Sequence, residues 1–309
     1  MFKKSILISA AVLTGGLCAL VLYLLRDPRP HFEERRSSLA SVEESEPITE
    51  GNSSFQDVTL TATSGLQVRI NVRRQLADSG LALPGVVILG GHVTGLTSAR
   101  LVGETPGIAV IGMSYPFTGN PKPGTATFLR EIPKIRAAFL DTPPALMLVM
   151  DYLYRRNDID TTRVEAVGVS LGAPFVTIAG ALDSRYTRIW ALHGSGGSYA
   201  PLEASMRRTI KFAPLRHLAA TIANVLISGP RLAPEKWAAQ ISPRPFVMVN
   251  ASDDERLPRE SVEALYAGAA EPKEIIWMSG RHIHADAETI GRLVRIVMER
   301  VVKAETTAD

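Results

Sequence analysis

At Arg163-Val164-Glu165-Ala166-Val167-Gly168-Val169-Ser170-Leu171-Gly172-Ala173-Pro174 an apolar run meets a tight glycine–serine–glycine turn, and a second apolar segment follows. Arg163–Val169 reads as a buried strand and Leu171–Leu182 as the helix after it. Between them stands Gly168-Val169-Ser170-Leu171-Gly172. Three fixed positions in five recur by chance, so the pentapeptide alone decides little; its setting between a strand and a helix is what the pattern requires. Side chains two residues either side of the serine would collide in so tight a turn, which is why glycine stands there. A helix N-terminus beneath the serine favours developing negative charge. The bland alternative is a strand-to-helix turn that serine merely caps.

Working outward, the same rhythm repeats. Val58–Ala62 and Leu66–Val72 alternate apolar and polar residues around Ser64-Gly65, an antiparallel hairpin with one wet face. Gly85–Leu89 and Gly107–Met113 are continuous apolar runs, as expected of strands buried on both faces. Asp141-Thr142-Pro143-Pro144 has the signature of a helix start, leading into Ala145–Arg156. Beyond the central motif come a strand (Arg188–Leu192), a long insertion, a strand (Phe246–Asn250), a helix (Arg259–Gly268), a strand (Glu274–Met278) and a helix (Asp286–Val302). A hairpin followed by strand–helix units predicts an α/β fold with an open, mostly parallel sheet, helices on both faces and an antiparallel start. The units are too few for a barrel, and no internal repeats interrupt them.

Asp160-Thr161-Thr162-Arg163-Val164, followed by Gly168-Val169-Ser170-Leu171-Gly172-Ala173-Pro174, resembles the α/β-hydrolase superfamily. In style it is similar to the dienelactone-hydrolase, acetyl-xylan-esterase and prolyl-oligopeptidase-like branches. The resemblance spans residues 56–303. Ala173 departs from the second glycine usual in the peptidase branch, which argues against a peptidase. The resemblance implies a chain order of Ser, then Asp or Glu, then His. Ser170 would be the nucleophile. In Asn250-Ala251-Ser252-Asp253-Asp254-Glu255-Arg256-Leu257-Pro258 an acid four residues before proline is Asp254, with Asp253 as competitor and Glu255 behind it. In Ser279-Gly280-Arg281-His282-Ile283-His284 the histidine two residues after glycine is His282, with His284 on the same parity. Serine is a poor nucleophile at neutral pH; the histidine would take its proton and the carboxylate would fix the imidazole tautomer. The oxyanion donors implied are the backbone amides of Leu171 and of His92, or of Gly91, in Gly90-Gly91-His92-Val93-Thr94-Gly95. No cofactor and no metal are implied.

The 309 residues are 46% hydrophobic and 21% charged, which excludes a disordered chain. The single cysteine, Cys18, lies in the N-terminal apolar run, so the remainder has no thiol and supports neither a cysteine nucleophile nor a disulfide framework. A net charge of +3 is too small and dispersed for nucleic acid. Lys3 and Lys4 precede Ser5–Leu25, an uncharged run long enough, at about 31 Å as a helix, for one hydrocarbon core. Residues 1–26 are therefore expected to be a membrane anchor, with the body on the exported side. A cleaved leader is the alternative, although its apolar core is usually only ~7–15 residues. Residues 27–54 carry seven acids against three arginines and read as a solvated polar linker. Residues 55–303 form the expected catalytic domain and 304–309 a tail.

The expected activity is hydrolysis of a small-molecule ester or thioester. Alternatives are a peptidase or amidase of the same fold, or a member that binds without catalysing. His282-Ile283-His284-Ala285-Asp286 spells H-x-H-x-D, a metal-binding pattern without the further histidine such sites use. Gly194-Ser195-Gly196-Gly197 lacks the lysine and spacing of a phosphate loop. Residues 198–244 break the strand–helix rhythm after the sixth strand, where relatives carry a cap over the active site. In it Arg207, Arg208, Lys211, Arg216 and His217 alternate with Met206, Ile210, Phe212 and Leu215. This predicts a cap that gives the pocket an apolar interior and a basic rim, and a preference for longer acyl chains.

Overall fold

The computed structural model describes residues 14–16, 18–20, 22–23, 26–91, 94–120, 127–282 and 287–303. One sheet organises them, in the order β1 (Leu39–Glu44), β3 (Ser53–Ala62), β4 (Gln67–Gln75), β6 (Ala109–Met113), β5 (Leu83–Leu89), β7 (Ile159–Val169), β8 (Arg188–Leu192), β9 (Phe246–Ala251) and β10 (Lys273–Met278). The short β2 (Ile48–Glu50) pairs with β3. Strands β1 to β4 are antiparallel to their neighbours, and β6 through β10 run parallel. The hairpin expected around Ser64-Gly65 is β3–β4, with Gly65 in the left-handed region at φ 80°.

Alternation within the apolar strands explains the layers. In β5, Val87 and Leu89 enter the core on one face, while Val86 and Ile88 enter the core on the other. The first face is covered by α3 (Phe128–Leu153), α4 (Ala173–Leu182) and α7 (Arg259–Gly268). The second is covered by α2 (Ser98–Leu101) and α8 (Ala287–Lys303). The insertion forms α5 (Tyr199–Met206), α6 (Ala213–Leu226) and three short 3-10 turns. Its buried Leu232, Trp237, Ala238 and Ile241 join the first face.

Two expectations fail. Residues 27–54 are not a solvated linker. Arg29–Arg36 is a helix (α1), and β1 and β2 extend the sheet beyond the hairpin. The charges that suggested solvation find distant partners: Arg35 donates to Asp141 at 2.9 and 2.7 Å, and Arg36 to Asp151 at 3.1 and 2.6 Å. Phe32, 1% exposed, packs against Trp237 with ring centroids 6.0 Å apart. Nor does a helix begin at Asp141. Helix α3 starts at Phe128 and carries Pro133, Pro143 and Pro144 inside it. Each proline removes a backbone donor. Burial of Ala138 and Leu140 before the pair, and of Ala145, Leu146 and Val149 after it, holds the helix through the defect. Asp141 serves as the partner of Arg35 and His31 instead of as a cap.

The N-terminal correction is open to measurement. Phe32→Ala should lower the unfolding free energy of the full chain by ~3–5 kcal/mol in urea titration, the usual cost of emptying a buried aromatic site. A change within about 0.5 kcal/mol, typical of an exposed position, would restore the linker reading.

Candidate active site

The parallel strands end at one level: Leu89 pairs with Gly168, Leu192 with Val169 and with Val249, and Met278 with Ala251. The loops that leave those ends therefore converge at the carboxyl edge of the sheet, where open α/β sheets place their ligand sites. Ser170 follows β7 directly. Its backbone is left-handed at φ 53°, a strained conformation for a non-glycine residue. The flanking glycines have specific causes. A Cβ on Gly172 would lie 2.0 Å from the carbonyl oxygen of Leu89, and one on Gly168 2.3 Å from Val176 Cγ2. The absence of both side chains lets α4 pack onto β7 and the turn at Gly172 close against the end of β5.

Ser170 Oγ stands 2.9 Å from His282 Nε2, and His282 Nδ1 stands 2.8 Å from Asp254 Oδ2. Asp254 is anchored in turn: its Oδ1 accepts the amides of Arg256 and Leu257, each at 2.9 Å. Of the two aspartates, Asp254 is the one that meets the imidazole. Asp253 is exposed and accepts from the Ser252 hydroxyl at 2.8 Å. Glu255 holds the loop by accepting the His282 amide at 3.1 Å. Leu171 follows Ser170 at the start of the 3-10 turn that leads into α4. His92 and His284 lie outside the described residues. The loop before His92 is tied down by the Tyr115 hydroxyl, which donates to the Gly90 carbonyl at 2.7 Å.

One residue escaped the sequence reading. His193, 2% exposed, follows β8 with a left-handed backbone at φ 48°, and its Nδ1 is 3.2 Å from the same Asp254 Oδ2. The two imidazoles meet edge to face with centroids 5.0 Å apart. The signal was present: a histidine directly after an apolar strand, at the edge where Ser170 and His282 also emerge. Because Asp254 accepts from both rings at Nδ1, His282 Nε2 is left to accept the Ser170 hydroxyl. Burial acts to raise the Asp254 carboxyl. Hydrogen bonds from His193, His282 and the Arg256 amide outweigh it and hold the group well below the usual carboxylate range.

His193, Asp254 and His282 offer ligand atoms within 4.8 Å of one another. A metal there would have to displace both imidazole–carboxylate hydrogen bonds, since ligand nitrogens bind at ~2.0–2.1 Å. The donors already satisfy one another without one.

A cavity of about 300 Å³ opens on Ser170 and His282. None of its lining residues comes from 198–244. The expected cap is thus absent from the walls of this cavity. The insertion turns to the opposite face because Glu235 accepts the Gly197 amide at 2.8 Å and Ser261 binds the Gly196 backbone, which draws it toward α7. The expected basic rim is also partly neutralised, since Glu203 binds both Arg207 and Arg216.

No family model matches the chain. Among the curated proteins it matches are the uncharacterised protein YfhR of Escherichia coli strain K12, 28% identical over 50% of this chain and 49% of that protein, and YfhR of Salmonella typhi, 27% identical over 52% and 53%. The chain spans about half the length of these curated relatives. Among solved structures, acetyl xylan esterase 1 from Thermoanaerobacterium sp. JW/SL YS485 superposes with a TM-score of 0.63 at 17% identity, over 89% of this chain and 92% of that one. Acetyl xylan esterase from Paenibacillus sp. R4 gives 0.62 at 15% identity over 85% and 90%. A cold-adapted esterase from an Arctic intertidal metagenomic library gives 0.55 at 15% identity over 83% and 99%. The chain has the α/β-hydrolase fold.

The shared carboxylate makes His193 testable as a positioning residue. His193→Ala should slow labelling of Ser170 by a fluorophosphonate probe roughly 10–100-fold with an unchanged thermal melt, the scale of a lost hydrogen bond to a charged group. His193→Asn tolerates the left-handed backbone and keeps an amide donor near the Nδ1 position, so it should recover most of the rate. Equal losses in both variants would reduce His193 to a packing role.

Proposed function

We propose that this chain is a serine hydrolase of carboxylic esters or thioesters, with Ser170 as nucleophile, His282 as general base and acid, and Asp254 as the group that orients the imidazole. The observation that carries the reading is the continuous line from Ser170 Oγ through His282 to Asp254, at 2.9 and 2.8 Å. As Ser170 Oγ bonds to the acyl carbon, His282 Nε2 takes the hydroxyl proton and Asp254 stabilises the resulting imidazolium. Collapse of the tetrahedral intermediate breaks the bond from acyl carbon to leaving oxygen or sulfur, and the proton passes from His282 to the leaving group. Water then enters by the same steps in reverse and releases the acid. The Leu171 amide, with a second amide from the loop of Gly91 and His92, would bind the oxyanion; each such donor is typically worth ~10²–10³ in rate. The esterase names of the structural neighbours agree with this chemistry.

The test is direct. Ser170→Ala should abolish labelling by a fluorophosphonate probe while the thermal melt stays that of the parent. Asp254→Asn should lower kcat by a factor on the order of 10³–10⁴ through the wrong imidazole tautomer. A Ser170→Ala protein that still labels would sink the assignment.

The reading extends to location: an anchor at Ser5–Leu25, with the body held at the exported membrane surface. Among the described residues no helix is long and apolar enough to cross a membrane, and most of Ser5–Leu25 lies outside them. Support comes from the body. The Tyr23 hydroxyl is 3.0 Å from Ser228 Oγ and accepts from Arg231 at 2.9 Å, so the end of the apolar run is pinned just beyond α6. Helix α6 exposes Leu215, Leu218, Ile222 and Leu226, one helical stripe, with Phe212 ahead of it. Such a face beside an anchor suits the headgroup boundary of a bilayer. The protein should therefore stay with membranes through carbonate extraction and begin near Met1 by N-terminal mass spectrometry. A start between Cys18 and Phe32 in most molecules would show a cleaved leader instead.

A further inference from the structure

The cavity at Ser170 has a chemistry of its own. Its polar lining side chains are Ser170, His282, Thr94, Ser98 and the exposed Arg256. The rest of the lining is apolar and includes Val102 just after α2, Val167 and Leu192 from the sheet, and Leu293, Val294 and Met298 from α8. The two sides differ in packing. Val102, Val167, Leu192 and Leu293 are buried in the second core, whereas Val294 and Met298 are only half-buried. Helix α8 thus closes part of its apolar face against the sheet and holds another part away from it. The space between them adjoins Ser170.

We infer that this cavity is an acyl-chain site, and that the substrates are esters or thioesters of medium-chain fatty acids, with α8 setting the length accepted. The inference rests on the serine-hydrolase reading and adds the substrate class. The walls reject a charged or polyhydroxylated acyl group, because among the described lining residues Arg256, itself exposed to solvent, is the one with a permanent charge. The volume of about 300 Å³ is much larger than an acetyl group needs. At ~30 Å³ per water-sized group it holds a chain of about six to ten carbons. Each methylene that enters should improve kcat/KM roughly fourfold until the space is full. The length limit belongs to α8, not to residues 206–217, since no residue of the insertion reaches the wall.

The experiment measures kcat/KM of the full chain on p-nitrophenyl acetate, butyrate, hexanoate, octanoate, decanoate and laurate, with fluorophosphonate labelling of Ser170 followed in parallel. The expected profile rises from acetate to a maximum between hexanoate and decanoate. Val294→Trp fills the cavity and should lower the octanoate-to-acetate ratio at least tenfold. Met298→Ala enlarges it and should move the maximum to a longer ester. A flat or acetate-preferring profile, or a ratio that neither variant moves, overturns the acyl site while Ser170 still labels. Loss of labelling in the parent protein would overturn the hydrolase reading itself.

Discussion

The rest of the site depends on the turn at Ser170. A serine backbone at φ 53° is unfavourable on its own, and the structure holds it because β7 and α4 are packed too closely for any relaxed alternative. The closeness has a measurable source: the absence of a side chain at Gly168 lets Val176 of α4 come against β7, and its absence at Gly172 lets the turn close on the Leu89 carbonyl. With the turn fixed, the hydroxyl stands clear of the sheet at the level where β5, β8, β9 and β10 also end. Residues far apart in the chain, Gly91, His193, Asp254 and His282, then need only short loops to arrive there. The strain at one residue is maintained by burial across the whole sheet.

At that edge one carboxylate does double duty. Asp254 Oδ2 accepts from His193 and His282, and Oδ1 from two backbone amides. A buried carboxylate with so many donors stays ionised and cannot rotate without leaving one of them unpaired. The orientation of His282 is thus set from below by Asp254, and that of Asp254 from the far side by His193. The left-handed backbone at His193, the second strained residue of the site, is consistent with that demand on its ring.

The parts of this arrangement that were readable in the sequence were those written locally. Continuous apolar strands, the Gly168–Gly172 pentapeptide, and an acid and a histidine each following a strand depend on neighbours in the chain. What was not readable depends on distant partners. Residues 29–50 look solvated because the arginines that fold them meet Asp141 and Asp151 more than a hundred positions away, and only scattered apolar residues, Phe32, Leu39 and Val42, mark their contact with the core. Pro143-Pro144 resembles a helix start because a local rule cannot see the burial that carries α3 through it. His193 went unnoticed for a different reason: the family pattern supplies one histidine, and a second in supporting position has no place in it.

The insertion teaches the same point about function. Residues 198–244 run between β8 and β9, and strand–helix rhythm says nothing about which face of the sheet such a segment covers. Gly196 and Gly197 decide it through bonds to Ser261 and Glu235, and these send the segment toward α7. The sheet therefore separates two tasks. Its first face carries α3, α4 and the insertion around a core that includes Trp237 and Ile241, and it supports the turn at Ser170. Its second face is covered at this edge by α2 and α8, whose half-buried Val294 and Met298 leave room beside the serine. Rigidity is needed where the serine backbone is strained, and space where the proposed substrate would enter. In this fold the two requirements fall on opposite sides of β7, so α8 can change its lining without disturbing the turn on which catalysis would rest.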